Sequence, residues 1–191
     1  MSMFTIAGAP TIEEGDMELI FSTTLTSSAA SIATGTLPTG YKSLCIKTVA
    51  RCDTSSTSAA IRVAFNSDTT ASHYQYSEIF ASNALSPFAD NERSFGAAVG
   101  NGASANIFSN LTTFVNDHES TNKYKNWVTS GNVHTNTSAQ SGSTAQEKFF
   151  WQEYNGVWRN TSAITTITLT AVGSIAVDFL AGASVFVYGL K

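Results

Sequence analysis

Charge is scarce in this sequence. Its 191 residues carry 10 Lys and Arg against 14 Asp and Glu, a formal charge of −4, and charged residues make up only 13% of the chain. No run of Lys or Arg occurs, and nucleic-acid binding rests on concentrated positive charge, so nucleic acid is not an expected partner. Basic residues are missing from the first thirty positions, where Glu13, Glu14, Asp16 and Glu18 stand instead; a secretory leader, with its basic start and apolar run, is not expected there. Long apolar runs are missing too. The most apolar stretch, Ile164 to Leu190, is broken by Thr at alternate positions, by Gly173 and Gly182 and by Asp178, which excludes a spanning helix and leaves no membrane partner to expect. There are two cysteines, Cys45 and Cys52. Seven positions of continuous strand would set them roughly 23 Å apart at about 3.3 Å per residue, on opposite faces, so they are not expected to pair. Neither Cys-x-x-Cys nor His-x-x-x-His spacing accompanies them, so no zinc site is expected.

In place of charge the chain has hydroxyls: 25 Ser and 25 Thr, about a quarter of its residues, alongside 12 Phe, 6 Tyr and 3 Trp and only three Pro. So many aromatics demand burial, and Thr, Val, Ile and aromatics suit the pleat while Ser, Asn and Gly suit turns. Residues 1–16 show no sustained period and read as an N-terminal arm, with a single domain over residues 17–191. From Met17 onward the pattern is strand after strand: Glu18–Leu25, Ser31–Thr36, Tyr41–Cys52, Ala60–Asn66, His73–Phe80, Asn106–Val115, Tyr124–Val133, Gln146–Tyr154, Ile164–Ala171 and Ser184–Leu190. Between Ala81 and Ala105 periodicity lapses among Pro87, Gly96, Gly100 and Gly102, which predicts a long surface excursion. Asn136–Ala145 reads as a second loop. No helical period persists, so the expected fold is an all-β antiparallel sandwich, jelly-roll-like, of eight to ten strands.

Several local patterns occur together: Ser31-Ile32, Leu37-Pro38-Thr39-Gly40-Tyr41-Lys42-Ser43-Leu44, Arg51-Cys52-Asp53, Ile61-Arg62-Val63-Ala64-Phe65-Asn66-Ser67-Asp68 and Tyr74-Gln75-Tyr76 in the first half. The second half holds Gly156-Val157-Trp158-Arg159-Asn160-Thr161-Ser162-Ala163-Ile164 and Phe179-Leu180-Ala181-Gly182-Ala183-Ser184-Val185-Phe186-Val187-Tyr188-Gly189-Leu190. From about Met17 to Lys191 the chain resembles a group of tailed-bacteriophage virion structural proteins. That resemblance implies a capsid decoration, head-fibre or tail-associated β-sandwich protein, often trimeric, and not an enzyme. It implies the major capsid protein or another virion protein as partner, and residence on the virion, at the capsid surface, after synthesis in the host cytoplasm. The residues carrying it also have a structural reading: Phe65, Asn66, Asp68, Tyr74, Tyr76, Trp158, Asn160, Ile164, Gly182, Tyr188 and Gly189 are core, turn and close-approach positions.

Chemistry-bearing residues are few. His73, His118 and His134 are the only histidines, and Asp117-His118-Glu119 is the one dense polar cluster. Carboxylate pairs could be drawn from Glu147 and Glu153, or Asp68 and Glu78, but nothing in the sequence fixes their separation. No nucleophile elbow, P-loop or dinucleotide fingerprint occurs, so no catalysis, cofactor or metal is expected. Sequons at Asn110, Asn136 and Asn160 are what so Asn- and Thr-rich a chain holds by chance. Two readings remain. In the first, a homotrimeric decoration (cement) protein clamps the shell, with sister subunits meeting at the consecutive aromatics Phe149, Phe150 and Trp151, and with Phe4, Ile6, Ile12, Glu13, Glu14 and Asp16 forming a capsid-docking arm. In the alternative, a head-fibre or tail-fibre module uses exposed aromatics among Trp127, Trp151 and Trp158, with Asn, Ser and Thr, to hold host polysaccharide.

Overall fold

A computed structural model describes residues 16–80, 84–90, 92–137, 146–173 and 176–191, and of residues 80, 84–90, 134–137 and 146–150 it describes the backbone only. Twelve strands are present among these residues: β1 Met17–Thr24, β2 Ser31–Ala33, β3 Ser43–Ala50, β4 Ser58–Phe65, β5 Tyr74–Phe80, β6 Ala84–Asp90, β7 Ser94–Val99, β8 Ser109–Val115, β9 Lys125–Thr137, β10 Gln146–Trp158, β11 Ile167–Val172 and β12 Ser184–Leu190. They form an eight-stranded antiparallel sheet, ordered β1-β12-β3-β8-β9-β10-β5-β6, and a four-stranded one, ordered β2-β11-β4-β7. The two pack face to face as an all-β sandwich. Among the described residues no helix is long and apolar enough to cross a membrane.

All ten strands expected from periodicity are present, and two more, β6 and β7, lie within the stretch read as a surface excursion. That reading of residues 81–105 is corrected by the pairing of β6 with β5 and of β7 with β4. Alternation fails in β7 because every residue of Ser94-Phe95-Gly96-Ala97-Ala98-Val99 is buried. One edge of the strand pairs with β4 while its faces are covered, in part by β8, β9 and β10 of the larger sheet. A strand covered on both faces has no polar side to show.

The core lies between the sheets. Leu44, Ile46, Leu111, Val115, Val185 and Val187 from the larger sheet meet Ile32, Ile61, Val63, Ile167 and Leu169 from the smaller one. At one end Phe65, Tyr74, Phe95, Trp127 and Trp158 form an aromatic cluster, with Phe65 at 5.6 Å from Trp158 and 5.8 Å from Trp127, centroid to centroid. Space for the Trp127 ring comes from Gly156, its register partner on β10: a Cβ there would run into the indole. Gly189 does the same for the Tyr41 ring, so the close approach expected at Tyr188-Gly189 is to an aromatic ring. These are positions where only the absence of a side chain permits the packing.

Turn chemistry anchors the end of β4. Asn66 and Ser67 both have positive φ, 53° and 60°, and the Asp68 amide donates to Phe65 O at 2.9 Å; two central residues with φ > 0 make a tight turn, after which the chain leaves the smaller sheet for β5 in the larger one. The Asn66 amide Nδ2 donates to Ala163 O, and its Oδ1 accepts from the Thr165 and Thr166 amides. This ties the turn to the segment leading into β11. On that segment Asn160 Oδ1 caps the Ser162 amide at 2.9 Å and Ile164 is buried.

Candidate functional site

Among the described residues, the acidic and cationic side chains that lie deep in the fold have structural partners. Asp68 is the clearest case. Its Oδ2 accepts from Trp158 Nε1 at 2.8 Å and lies 2.7 Å from His73 Nδ1, while its Oδ1 accepts from the Thr70 amide. Burial alone would raise the carboxyl, but the bonds from Trp158, His73 and Thr70 outweigh it and hold Asp68 down at about 2. The Tyr74 hydroxyl, whose ionisation burial pushes far up, donates to Asp68 O and accepts from the Phe65 amide. Arg51 donates to the carbonyls of Ala103, Ser104 and Ile107 and so pins the loop after β7. Lys125, fully buried, gives its ammonium to the carbonyls of Lys123 and Thr161.

Of the candidate acid–base pairs, Asp68 and Glu78 are held apart on different partners. Asp68 precedes β5 and Glu78 lies towards the far end of that strand; Glu78, raised chiefly by burial, is next to Tyr154. Glu153 accepts from Asn155 Nδ2 at 3.1 Å, and the side chains of Glu147 and His134 lie outside the described residues. His118 is buried beneath the Asn116–Lys123 turn, its Nε2 at 3.7 Å from Glu119 Oε1 and its Nδ1 without a partner. Asp117 pairs with Lys123 at 2.9 Å, and Glu119 accepts from the Gly40 and Tyr41 amides. A cleft of about 430 Å³, lined also by Lys42, opens between these groups, but Asp117 and Lys123 are bound to each other and Glu119 is held by backbone amides. Among the described residues no three His, Cys, Asp or Glu side chains converge as a metal site. Cys45 and Cys52 are both free and buried.

Among the described residues, the outer face of the eight-stranded sheet presents side chains without a structural task. Register places Leu19, Tyr188, Cys45, Phe114, Val128 and Asn155 in one row across six consecutive strands, β1-β12-β3-β8-β9-β10. Five of the six are apolar or aromatic, and three stay open to solvent: Leu19 at 50%, Phe114 at 43% and Val128 at 37%. Beside the row Lys47 Nζ stands 5.9 Å from the Tyr188 ring centroid, which covers part of that ring. β1 is also an edge strand of this sheet, with Met17 half exposed.

No protein-family model, curated protein or solved structure matches the chain.

The structure separates the three tryptophans: Trp127 and Trp158 are core residues, whereas Trp151 stands on the outer face, 54% exposed. Its register partners are Asn132 on β9 and, beyond it, Asn110 on β8. The side chains of Phe149 and Phe150 lie outside the described residues, as do arm residues Phe4, Ile6, Ile12, Glu13 and Glu14. Of the arm, Asp16 is described: its carbonyl accepts from the Lys191 amide at 3.1 Å, so it continues the β1–β12 pairing. Gly182 has φ +90° in the turn before β12, Tyr76 packs at the rim of the core, and Tyr188 faces outward. Sequence reasoning did not find the outer row. Its members lie on five sequence-distant segments plus β10, and only strand order and register bring them into line.

Proposed function

We propose that this chain is a bacteriophage virion structural protein, a capsid decoration protein that acts as a homotrimer bound to the outer surface of the shell, with no reaction of its own. The observation that carries the reading is the apolar row Leu19–Tyr188–Cys45–Phe114–Val128, exposed at Leu19, Phe114 and Val128. Its members come from five neighbouring strands of one sheet, and apolar side chains open to water at Leu19, Phe114 and Val128, with Tyr188 half-buried and Cys45 buried between them, suit a protein contact. The resemblance of the sequence motifs supplies the virion setting, and the row supplies a surface by which sister subunits are held. The edge strand β1, which comes directly after the arm, is suited to main-chain pairing with a neighbour. Each copy that binds the assembled shell and not its separated subunits stabilises the shell by mass action.

The test is co-sedimentation with particles assembled without this protein. Saturable binding that raises the temperature at which the particles break open is expected. Equal amounts of protein in the pellet with and without particles would overturn the reading.

A further inference from the structure

The outer face of the larger sheet has a second row, and its chemistry differs from that of the apolar one. It crosses β10, β9 and β8 as Trp151, Asn132 and Asn110. The two Asn side chains are exposed, and neither is used in a hydrogen bond to another described side chain. The adjoining row on the same face continues as Glu153, Ser130 and Thr112. A half-exposed indole therefore borders a flat field of amides and hydroxyls. Neighbouring strands are about 4.8 Å apart, so the indole and the two amides span roughly 10 Å, about the length of a disaccharide. From Asn155, where the apolar row meets β10, Trp151 lies four residues along the strand, about 13 Å at roughly 3.3 Å per residue. The two rows occupy different parts of the face, and one can be covered while the other stays open.

We infer that Trp151, Asn132 and Asn110 form a binding platform for a neutral polysaccharide. Sugar rings present apolar C–H faces that stack on an indole, and equatorial hydroxyls that both donate to and accept from an Asn amide; a platform offering both, in plane, matches that ligand. Charge decides between neutral and acidic polymers. The one ionisable group among these six side chains is Glu153, a carboxylate that would repel uronate, sialate or phosphate; Lys47, next in its row after Thr112, holds its ammonium 5.9 Å from the Tyr188 ring centroid, on the side of the apolar row. This inference stands apart from the subunit contact proposed above and does not require it.

Fluorescence tests it directly, because Trp127 and Trp158 are 1% exposed and shielded, so acrylamide quenching reads Trp151. The full-length protein is titrated with maltohexaose, laminarihexaose and hexa-N-acetylchitohexaose, and with hexagalacturonate as the acidic comparison. At least one neutral oligosaccharide is expected to saturate in the millimolar range or below and to protect Trp151 from acrylamide. Read by isothermal titration calorimetry, because the substitution removes the reporter, Trp151→Ala should weaken that binding about tenfold or more, as loss of a stacking contact does, with the thermal midpoint unchanged. Asn132→Ala should weaken it several-fold, while Trp151→Phe should retain part of it. No binding by any neutral oligosaccharide, or equal binding of hexagalacturonate, overturns the inference. So does protection of Trp151 that tracks protein concentration rather than sugar, which would make the indole a contact between copies of this chain.

Discussion

Replacing Asp68 by Asn leaves the shape of the turn before β5 intact while removing its charge, and the structure sets the size of the effect. The carboxylate is held at about 2 against an ordinary value of 3.8. A difference of that size, at about 1.4 kcal/mol per pH unit, corresponds to roughly 2 kcal/mol of stability from the charged form. Because the folded-state value is the lower one, this stability is fully present above the unfolded value, near pH 5 and higher. It declines as pH falls towards about 2, with about half gone by pH 3. Urea unfolding followed by circular dichroism at pH 7, 5, 4 and 3 measures it. Asp68→Asn should be less stable by about 2 kcal/mol at pH 7, and the gap should narrow as pH falls. A gap that stays constant from pH 7 to pH 3 would refute the reasoning, since the loss would then come from side-chain shape and not from the charge that Trp158, His73 and Thr70 surround.

Other consequences are as direct. Gly156→Ala should cost about 1–3 kcal/mol by forcing a Cβ against the Trp127 ring, read as a lowered urea midpoint. His118 is kept neutral chiefly by burial, with Lys125 adding to that while Glu119 and the Lys42 backbone act the other way. Its folded value lies below the unfolded one, so stability should fall as pH drops through about 6.5; His118→Gln should flatten the profile between pH 7 and pH 5. Burial raises both thiols above the ordinary cysteine value, so Cys45 and Cys52 should react with a thiol reagent in urea and not in the native protein, and mobility should be unchanged on reduction.

Alternation along single strands carried most of the architecture. β8, for example, buries Ser109, Leu111, Thr113 and Val115 and turns Asn110, Thr112 and Phe114 outward, and such a pattern is visible in sequence. β7 was not visible because it is covered on both faces, and its small residues have no period to detect. Within β10, the run Phe149-Phe150-Trp151 and the buried Gln152 obscure a parity that Tyr154 and Trp158 obey. That parity separates Trp151 from Trp158: seven positions apart, they must face opposite ways. The Asp68–Trp158 bond and the outer rows were beyond reach for a different reason. They join segments up to 90 residues apart, or lie across strands whose order no local pattern encodes.

The central claim is that the row through Phe114 holds copies of this chain together on the shell. Light scattering after size exclusion at micromolar concentration tests it most directly. A mass three times the 20.2 kDa of one chain is expected, with collapse to the single-chain mass for Phe114→Lys and circular dichroism unchanged. A single-chain mass for the native protein, or a Phe114→Lys variant that stays trimeric, would contradict it.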